Sequence, residues 1–328
     1  MLVVGRNGVG KTNLLESLHV GTQGFSPRTR TDAQLVRFGE QAARVSLAGT
    51  RAGTLLELEV AVAPGEGKHA RLNGAPLRAA EQLRSEIATL VFTPDRLAVV
   101  KGGPAARRAY FDRVLGRLLP ARSHLPAEYS AVLAQRNAAL RRVAAGFSSA
   151  EALAPWTARV ASLGAELSAA RAHAIALLAE SFAGRAAELG LPDAALAYAA
   201  EPPTEADLEA RLQRDLDRGS TGLGPHLDDV TIRSGDRDLR SFGSQGEQRL
   251  AVLSLLLAEA QTISSQRGSP PLLLLDDVLS ELDPGRRSVL AGLLAGGGQT
   301  LVTATTAAAL PAEPSQLLEV SPGEVVVR

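Results

Sequence analysis

The octapeptide Gly5-Arg6-Asn7-Gly8-Val9-Gly10-Lys11-Thr12 sets two glycines, a lysine and a hydroxyl in the order G-x-x-x-x-G-K-T. A glycine-rich loop of this kind turns its backbone N–H groups into a nest for α- and β-phosphates at a helix N-terminus. Lys11 then brings a point charge to the β/γ-phosphates, and the Thr12 hydroxyl is a ligand for Mg²⁺. A second chemical group lies far along the chain, where Leu272-Leu273-Leu274-Leu275 runs into Asp276-Asp277. Asp276 is suited to hold Mg²⁺ through water, and Asp277 to orient or deprotonate an attacking water. Two carboxylates after apolar residues are a weak signal alone; after a phosphate loop they imply a nucleoside triphosphate site.

These residues need particular elements to place them. Leu2-Val3-Val4 before the loop reads as a strand end, and Asn13 to Leu18 after it as the opening of a helix. Gly21 to Thr31 is polar and bears Gly, Ser and Pro, so it is expected as an exposed connection near the nucleotide. Four leucines suffice to cross a sheet as a buried parallel strand, which brings Asp276 and Asp277 out at the edge where the phosphate loop also sits. Arg44–Ala48, Leu55–Ala63 and Ile87–Phe92 are apolar or β-prone, and Ala63 to Gly67 is a turn between two of them, which predicts a β-rich lobe.

After Gly102-Gly103 the character changes. Pro104 is placed to start a helix that Pro120 stops. Alanine-rich helical sequence follows to about Gly190, in which Trp156, Val160, Leu163, Leu167, Ala170, Ala174 and Leu177 alternate steps of four and three. That is either a paired-helix arm, with Glu128–Ala145 as partner, or an amphipathic helix in a small bundle. Thr204 to Asp207 is a capping-box start for a short helix closed by Gly219.

Composition bounds the function. With 328 residues there is room for about two domains. Hydrophobic content of 45% and charged content of 21% are ordinary for a folded soluble chain. The absence of cysteine excludes disulfides, thiolate metal sites and cysteine nucleophiles, and fits a reducing compartment. No apolar run approaches ~20 residues and no leader is legible, so no membrane role and a cytoplasmic location are expected. Net charge is +0, yet residues 96–142 carry ten basic groups against Asp112 and Glu128, while 143–218 carry six against eleven acidic. Such segregation points to a polyanion for the basic stretch, in competition with a solvated helical surface.

Three further stretches carry a family resemblance. Ser244-Gln245-Gly246-Glu247-Gln248-Arg249 opens an apolar helix as the signature motif of ABC-type ATPases does; Ser280-Glu281-Leu282-Asp283 is similar to a D-loop; Gln299 to Thr305 is similar to the switch strand. Together with Val91 to Asp95, Lys101 to Pro104 with Arg107-Arg108, and Gly224 to Asp229, the set resembles the RecF family, relatives of SMC-type heads. The resemblance implies an α/β P-loop ATPase head (1–100 and 219–328) with a β-rich lobe and an inserted helical, short coiled-coil-like arm (101–218). It implies ATP and Mg²⁺ as cofactors, with the loop Gly5–Thr12 of one subunit and Ser244–Gln248 of another closing on ATP in an ATP-dependent homodimer. It further implies DNA as partner, single-stranded or at gaps and junctions, with Lys101, Arg107 and Arg108 as contacts. RecR- and RecO-type mediators, recombinational repair, replication-gap processing, an SOS role and slow hydrolysis complete the picture. The shorter Asp277, where many ABC ATPases carry Glu, fits a weak hydrolase.

The sequence departs from the family in three places. Further strands precede the loop in RecF-like chains, whereas only Met1 to Val4 does here, so weaker base recognition is expected. Leu227 stands in place of an Arg after Gly-Pro-His, and Thr305 where many ABC proteins carry a switch His; His226 is expected to be structural. The competing readings are an ABC transporter's nucleotide-binding subunit and a structural SMC-type head. The 232 positions between Thr12 and Ser244 argue against the first, and the short arm against the second.

Overall fold

The computed structural model describes residues 1–29, 31–51 and 53–328, without the side chains of Glu81 and Glu281. The chain starts with strand Leu2–Val4 (β1) and helix Lys11–Gln23 (α1). Strands Ala43–Arg51 (β2), Thr54–Ala63 (β3), Gly67–Leu72 (β4), Ala75–Pro76 (β5) and Thr89–Phe92 (β6) follow. Next come helices Ala98–Lys101 (α2), Pro104–Leu118 (α3), Leu125–Ala144 (α4) and Ala154–Glu188 (α5), then strand Ala194–Ala197 (β7). Helices Glu205–Ala210 (α6) and Leu212–Arg218 (α7) lead to strands Thr231–Ser234 (β8) and Arg237–Asp238 (β9). Helices Leu239–Phe242 (α8) and Gln245–Arg267 (α9) precede Leu272–Leu275 (β10) and Pro284–Ala295 (α10). The chain ends with Thr300–Ala304 (β11), Leu317–Ser321 (β12) and Glu324–Val327 (β13).

These elements form two compact units, Met1–Arg96 with Ile263–Arg328, and Leu97–Thr262. The first holds a six-stranded sheet in the order β13-β12-β1-β11-β10-β6, parallel except for β13. Strands β6, β10 and β11 are buried along nearly their whole length, which is why they read as mostly apolar runs rather than alternations. Val3, Leu15, Val91, Leu274 and Leu301 pack into one core. The stretch ending at Phe92, expected in the β-rich lobe, instead supplies β6 of this sheet, because four consecutive buried residues suit a strand covered on both faces.

The β-rich lobe is the antiparallel meander β2-β3-β4-β5. Its Leu56, Leu58, Val60 and Val62 share a cluster with Val20 of α1 and with Leu83. The helix reaches Gln23, well into the stretch expected as exposed loop, and ends where Gly24 turns left-handed at φ 75°. Gly21 sits inside it because a Cβ there would lie 2.5 Å from Leu47 Cδ1 of the meander. The turn punctuation was a helix meeting a sheet at close range.

In the second unit α3 starts at Pro104 and α4 pairs with the 35-residue α5. Val160, Leu163, Leu167, Ala170 and Ala174 are buried as the four-and-three spacing predicts, but the next buried positions are Ile175, Leu178, Phe182 and Ala186. The stripe drifts because a straight helix turns every 3.6 residues rather than 3.5. Leu115 of α3, Tyr129 of α4 and Leu208 of α6 join this seam, so the arm's helices pack as a small bundle. Residues 219–262, assigned to the head in the sequence reading, cluster with these helices. Side chains of α9 explain why: Glu259, fully buried, pairs with Arg117, and the Thr262 hydroxyl donates to the Leu177 carbonyl at 3.4 Å. Thr204 and Asp207 form the expected capping box, and Gly219 closes α7 in the left-handed region. Among the described residues, no helix is long and apolar enough to cross a membrane.

Candidate functional site

The phosphate loop leaves β1 and enters α1, with Gly8 at φ 83° and Gly10 at φ 112°. Both are conformations that a side chain opposes, and nothing lies within 4 Å of where either Cβ would be, so the loop backbone is open on that side. Gly5 answers a different constraint: a Cβ there would lie 2.5 Å from the Val320 carbonyl oxygen of β12. Arg6, Asn7 and Gly8 are exposed, and Val9 to Thr12 half-buried. The Lys11 ammonium donates to the carbonyls of Gly5 at 2.7 Å and Arg6 at 3.1 Å, which holds it along the loop.

The sheet order brings the second group to the first. β11 lies between β1 and β10, and all three run parallel, so the loop after β1 and the carboxylates after β10 emerge at one edge. The Thr12 hydroxyl donates to Asp276 Oδ2 at 2.9 Å, joining residues 264 positions apart. Thr303 of β11 completes the connection: its hydroxyl donates to Asp276 Oδ1 at 2.8 Å and accepts the Asp277 N–H at 2.8 Å. Asp276 is buried and Asp277 exposed, the latter at φ 52°, a left-handed conformation that Asp tolerates better than most residues. The residues fit a magnesium ion: a hydroxyl and a carboxylate already in contact are hard oxygen donors at the mouth of an anion nest. Thr303 was not singled out in the sequence; a threonine in an apolar strand signals nothing until the neighbouring strand is known.

In the second unit, Ser244 and Glu247 cap α9 reciprocally. The Ser244 N–H donates to Glu247 Oε2 at 2.8 Å and the Glu247 N–H to Ser244 Oγ at 3.2 Å. The Ser244 amide, and then the Arg237 guanidinium, hold the Glu247 carboxyl down at about 2. Ser244, Gln245 and Gly246 are exposed. Gln248, expected at the nucleotide, is only 5% exposed and donates to the Leu239 carbonyl at 2.8 Å, so its amide nitrogen braces the turn into the helix.

The basic segment needs a larger correction. Arg107, expected on DNA, is 3% exposed. It grips Asp229 with Nε at 2.6 Å and Nη2 at 2.7 Å, and donates Nη1 to the Gly102 and Val100 carbonyls. Arg108 is half-buried and donates to the Asp228 carbonyl at 2.6 Å. Arg136, fully buried, pairs with fully buried Asp215 at 2.9 Å. Part of the +8 counted along residues 96–142 is therefore not surface charge, since Asp215, Asp229 and Glu259 from later in the chain fold back onto Arg136, Arg107 and Arg117. Lys101, Arg122, Arg141 and Arg142 remain exposed.

Several of these buried cations hold the stretch from Thr221 to Asp229. Arg136 donates to Thr221, Arg171 to the Pro225 carbonyl, and Tyr129 and His226 share a hydrogen bond at 2.9 Å. His226 is structural as expected: Nε2 meets the Thr221 carbonyl at 3.1 Å and burial lowers its pKa, so it is held as a neutral ring. Leu227 is 56% exposed and Thr305 is exposed beyond β11.

Comparison with known proteins agrees with this architecture. Residues 1–324 match the family described as the RecF/RecN/SMC N terminal domain. The DNA replication and repair protein RecF of Myxococcus xanthus is 37% identical over 350 residues, covering all of this chain and 91% of that protein. RecF of Heliobacterium modesticaldum is 37% identical over 320 residues, covering 93% of this chain and 86% of its own length. Among solved structures, the recombination mediator RecF bound to ATP superposes with a TM-score of 0.87 at 27% identity, over 100% of this chain and 91% of that one. The Smc head of Pyrococcus furiosus, at 17% identity and a TM-score of 0.57, shares the fold alone. Matched along nearly its whole length by that family model and by these relatives, the chain belongs to the RecF family of DNA replication and repair proteins.

Proposed function

We infer that this protein is an ATP-dependent DNA-binding switch of recombinational repair and replication-gap processing. The observation that carries the reading is the Thr12–Asp276 hydrogen bond, which ties the phosphate loop to the carboxylate strand. In this reading the loop amides of Gly8 to Thr12 take the phosphates and Lys11 turns from its loop carbonyls toward the β/γ-phosphates. Thr12 and Asp276 would hold Mg²⁺, which when bound neutralises phosphate charge. Asp277 orients the attacking water, and its short side chain suits slow hydrolysis. The exposed Ser244, Gln245 and Gly246 at the start of α9 offer a helix N-terminus to the phosphates of a second subunit, so ATP would be buried between two copies. DNA, and mediators of the RecR and RecO type, are the partners proposed from the family. The transporter alternative is not favoured, because the relatives along the whole chain are RecF proteins.

The test is sedimentation with Mg²⁺-ATP, with and without DNA. Wild type is expected to dimerise on ATP and to be retained on DNA. Ser244→Arg should bind ATP as a monomer, because bulk and charge would oppose the partner's phosphate loop. Dimers of Ser244→Arg as abundant as wild type would refute closure across two subunits, and absence of ATP binding by wild type would refute the reading itself.

A further inference from the structure

Between the loop strand β1 and the carboxylate strand β10 lies β11, and its Thr303 is completely buried. Thr303 has one hydroxyl proton. Its oxygen accepts the Asp277 N–H, so the proton goes to Asp276 Oδ1, the other neighbour in reach. The rotor is thereby fixed. Asp276 Oδ2 takes the Thr12 proton, so both oxygens of this carboxylate face donors and the lone pairs of Thr12 remain for a cation. On the other side of β10 the Asp276 N–H donates to the Phe92 carbonyl at 2.9 Å, so the strand is still held by β6 at the residue before the turn. At Asp277 the parallel ladder gives way: the last pair with β11 is Leu275 with Val302, and the next amide on that side is taken by a side chain. There the backbone turns left-handed at φ 52°, ψ 28°, and Asp277 is exposed.

We propose that Thr303 is a positioning residue for hydrolysis, one hydroxyl that sets the rotamer of Asp276 and the left-handed turn of Asp277 together. It touches neither the nucleotide nor the water. Its action is to keep the cation-holding carboxylate and the water-orienting carboxylate in fixed relation, and it rests on the ATPase reading above. Replacing the hydroxyl by a methyl leaves an amide and a carboxylate oxygen without their buried partner, and both groups then relax away from the loop.

The experiment compares Thr303→Val, which keeps the shape and loses the hydroxyl, with Thr303→Ser, which keeps the hydroxyl. Steady-state phosphate release is read with Mn²⁺ affinity, by electron paramagnetic resonance, of the complex with a non-hydrolysable ATP analogue. Thr303→Val is expected to lower kcat about ten- to a hundredfold with KM for ATP within about threefold, and to weaken Mn²⁺ about tenfold. Thr303→Ser should stay within about threefold of wild type in each. Wild-type turnover by Thr303→Val, a loss as large in Thr303→Ser, or a loss confined to KM would overturn the role. Should Thr303→Val fail to melt cooperatively, Thr303→Ala takes its place against the same serine control. A wild type that binds the analogue but gives equal Mn²⁺ affinity in all variants overturns this inference alone; a wild type that binds no ATP overturns the ATPase reading and this role with it.

Discussion

Replacing Arg107 by alanine separates a structural arginine from a DNA contact. The wild-type guanidinium makes two hydrogen bonds to Asp229 and two to backbone carbonyls, with its side chain 4% exposed. Removing one partner of a buried pair costs about 3–5 kcal/mol, because the other charge is left without compensation. Asp229 is itself 36% exposed, so water recovers part of that loss and about 2–3 kcal/mol should remain. Trp156, the sole tryptophan, lies in α5 of the same unit and reports its unfolding in urea. The expected result is a lower urea midpoint for the Trp156 transition and an unchanged salt dependence of DNA affinity. Arg107→Lys should recover little stability, since an ammonium cannot bridge both carboxylate oxygens and both carbonyls in the same plane. An unchanged midpoint together with a log–log salt slope reduced by about 0.9 would show that Arg107 meets a phosphate instead, and would refute the burial argument.

Lys101, exposed at the end of α2, should behave in the opposite way. Lys101→Ala is expected to reduce the salt slope by about 0.9 with the Trp156 transition unmoved, and a constant slope would place the DNA elsewhere. Asp277→Asn removes the exposed carboxylate yet keeps the amide that Thr303 accepts, so ATP should bind, phosphate release should fall at least ~tenfold, and the ATP-bound dimer should accumulate on DNA. Turnover equal to wild type would remove Asp277 from the reaction. For His226, burial lowers the folded pKa, so the unfolded chain takes up the proton first as pH falls. Its contribution to stability is full above about pH 6.5 and is lost as pH drops through the folded value. Wild type should therefore lose more stability than His226→Gln between pH 7.5 and 5.5, and parallel curves would contradict a neutral buried ring.

The sequence by itself determined the local chemistry. The phosphate loop, the strand of four leucines with its two carboxylates, the capping box at Thr204, and the start of α3 at Pro104 each depend on residues within a few positions of one another. Such features follow from backbone geometry and local hydrogen bonding, which short spacing records. Whatever depended on the pairing of distant segments was decided only by the tertiary structure. The strand ending at Phe92 reads like its β-prone neighbours but joins the other sheet, because its partner is β10. Leu177 keeps the heptad spacing yet yields its buried place to Leu178, since an α-helix turns every 3.6 residues and its buried stripe drifts off a 3.5-residue repeat. Arg107 and Arg136 look like surface charge in a basic stretch, and the carboxylates that neutralise them lie 122 and 79 positions away. Thr303 is one hydroxyl in an apolar strand until β10 is laid beside it. A charge or hydroxyl acquires its role from the group it meets, and over such distances that group is chosen by the packing of the core, which no short window of sequence contains.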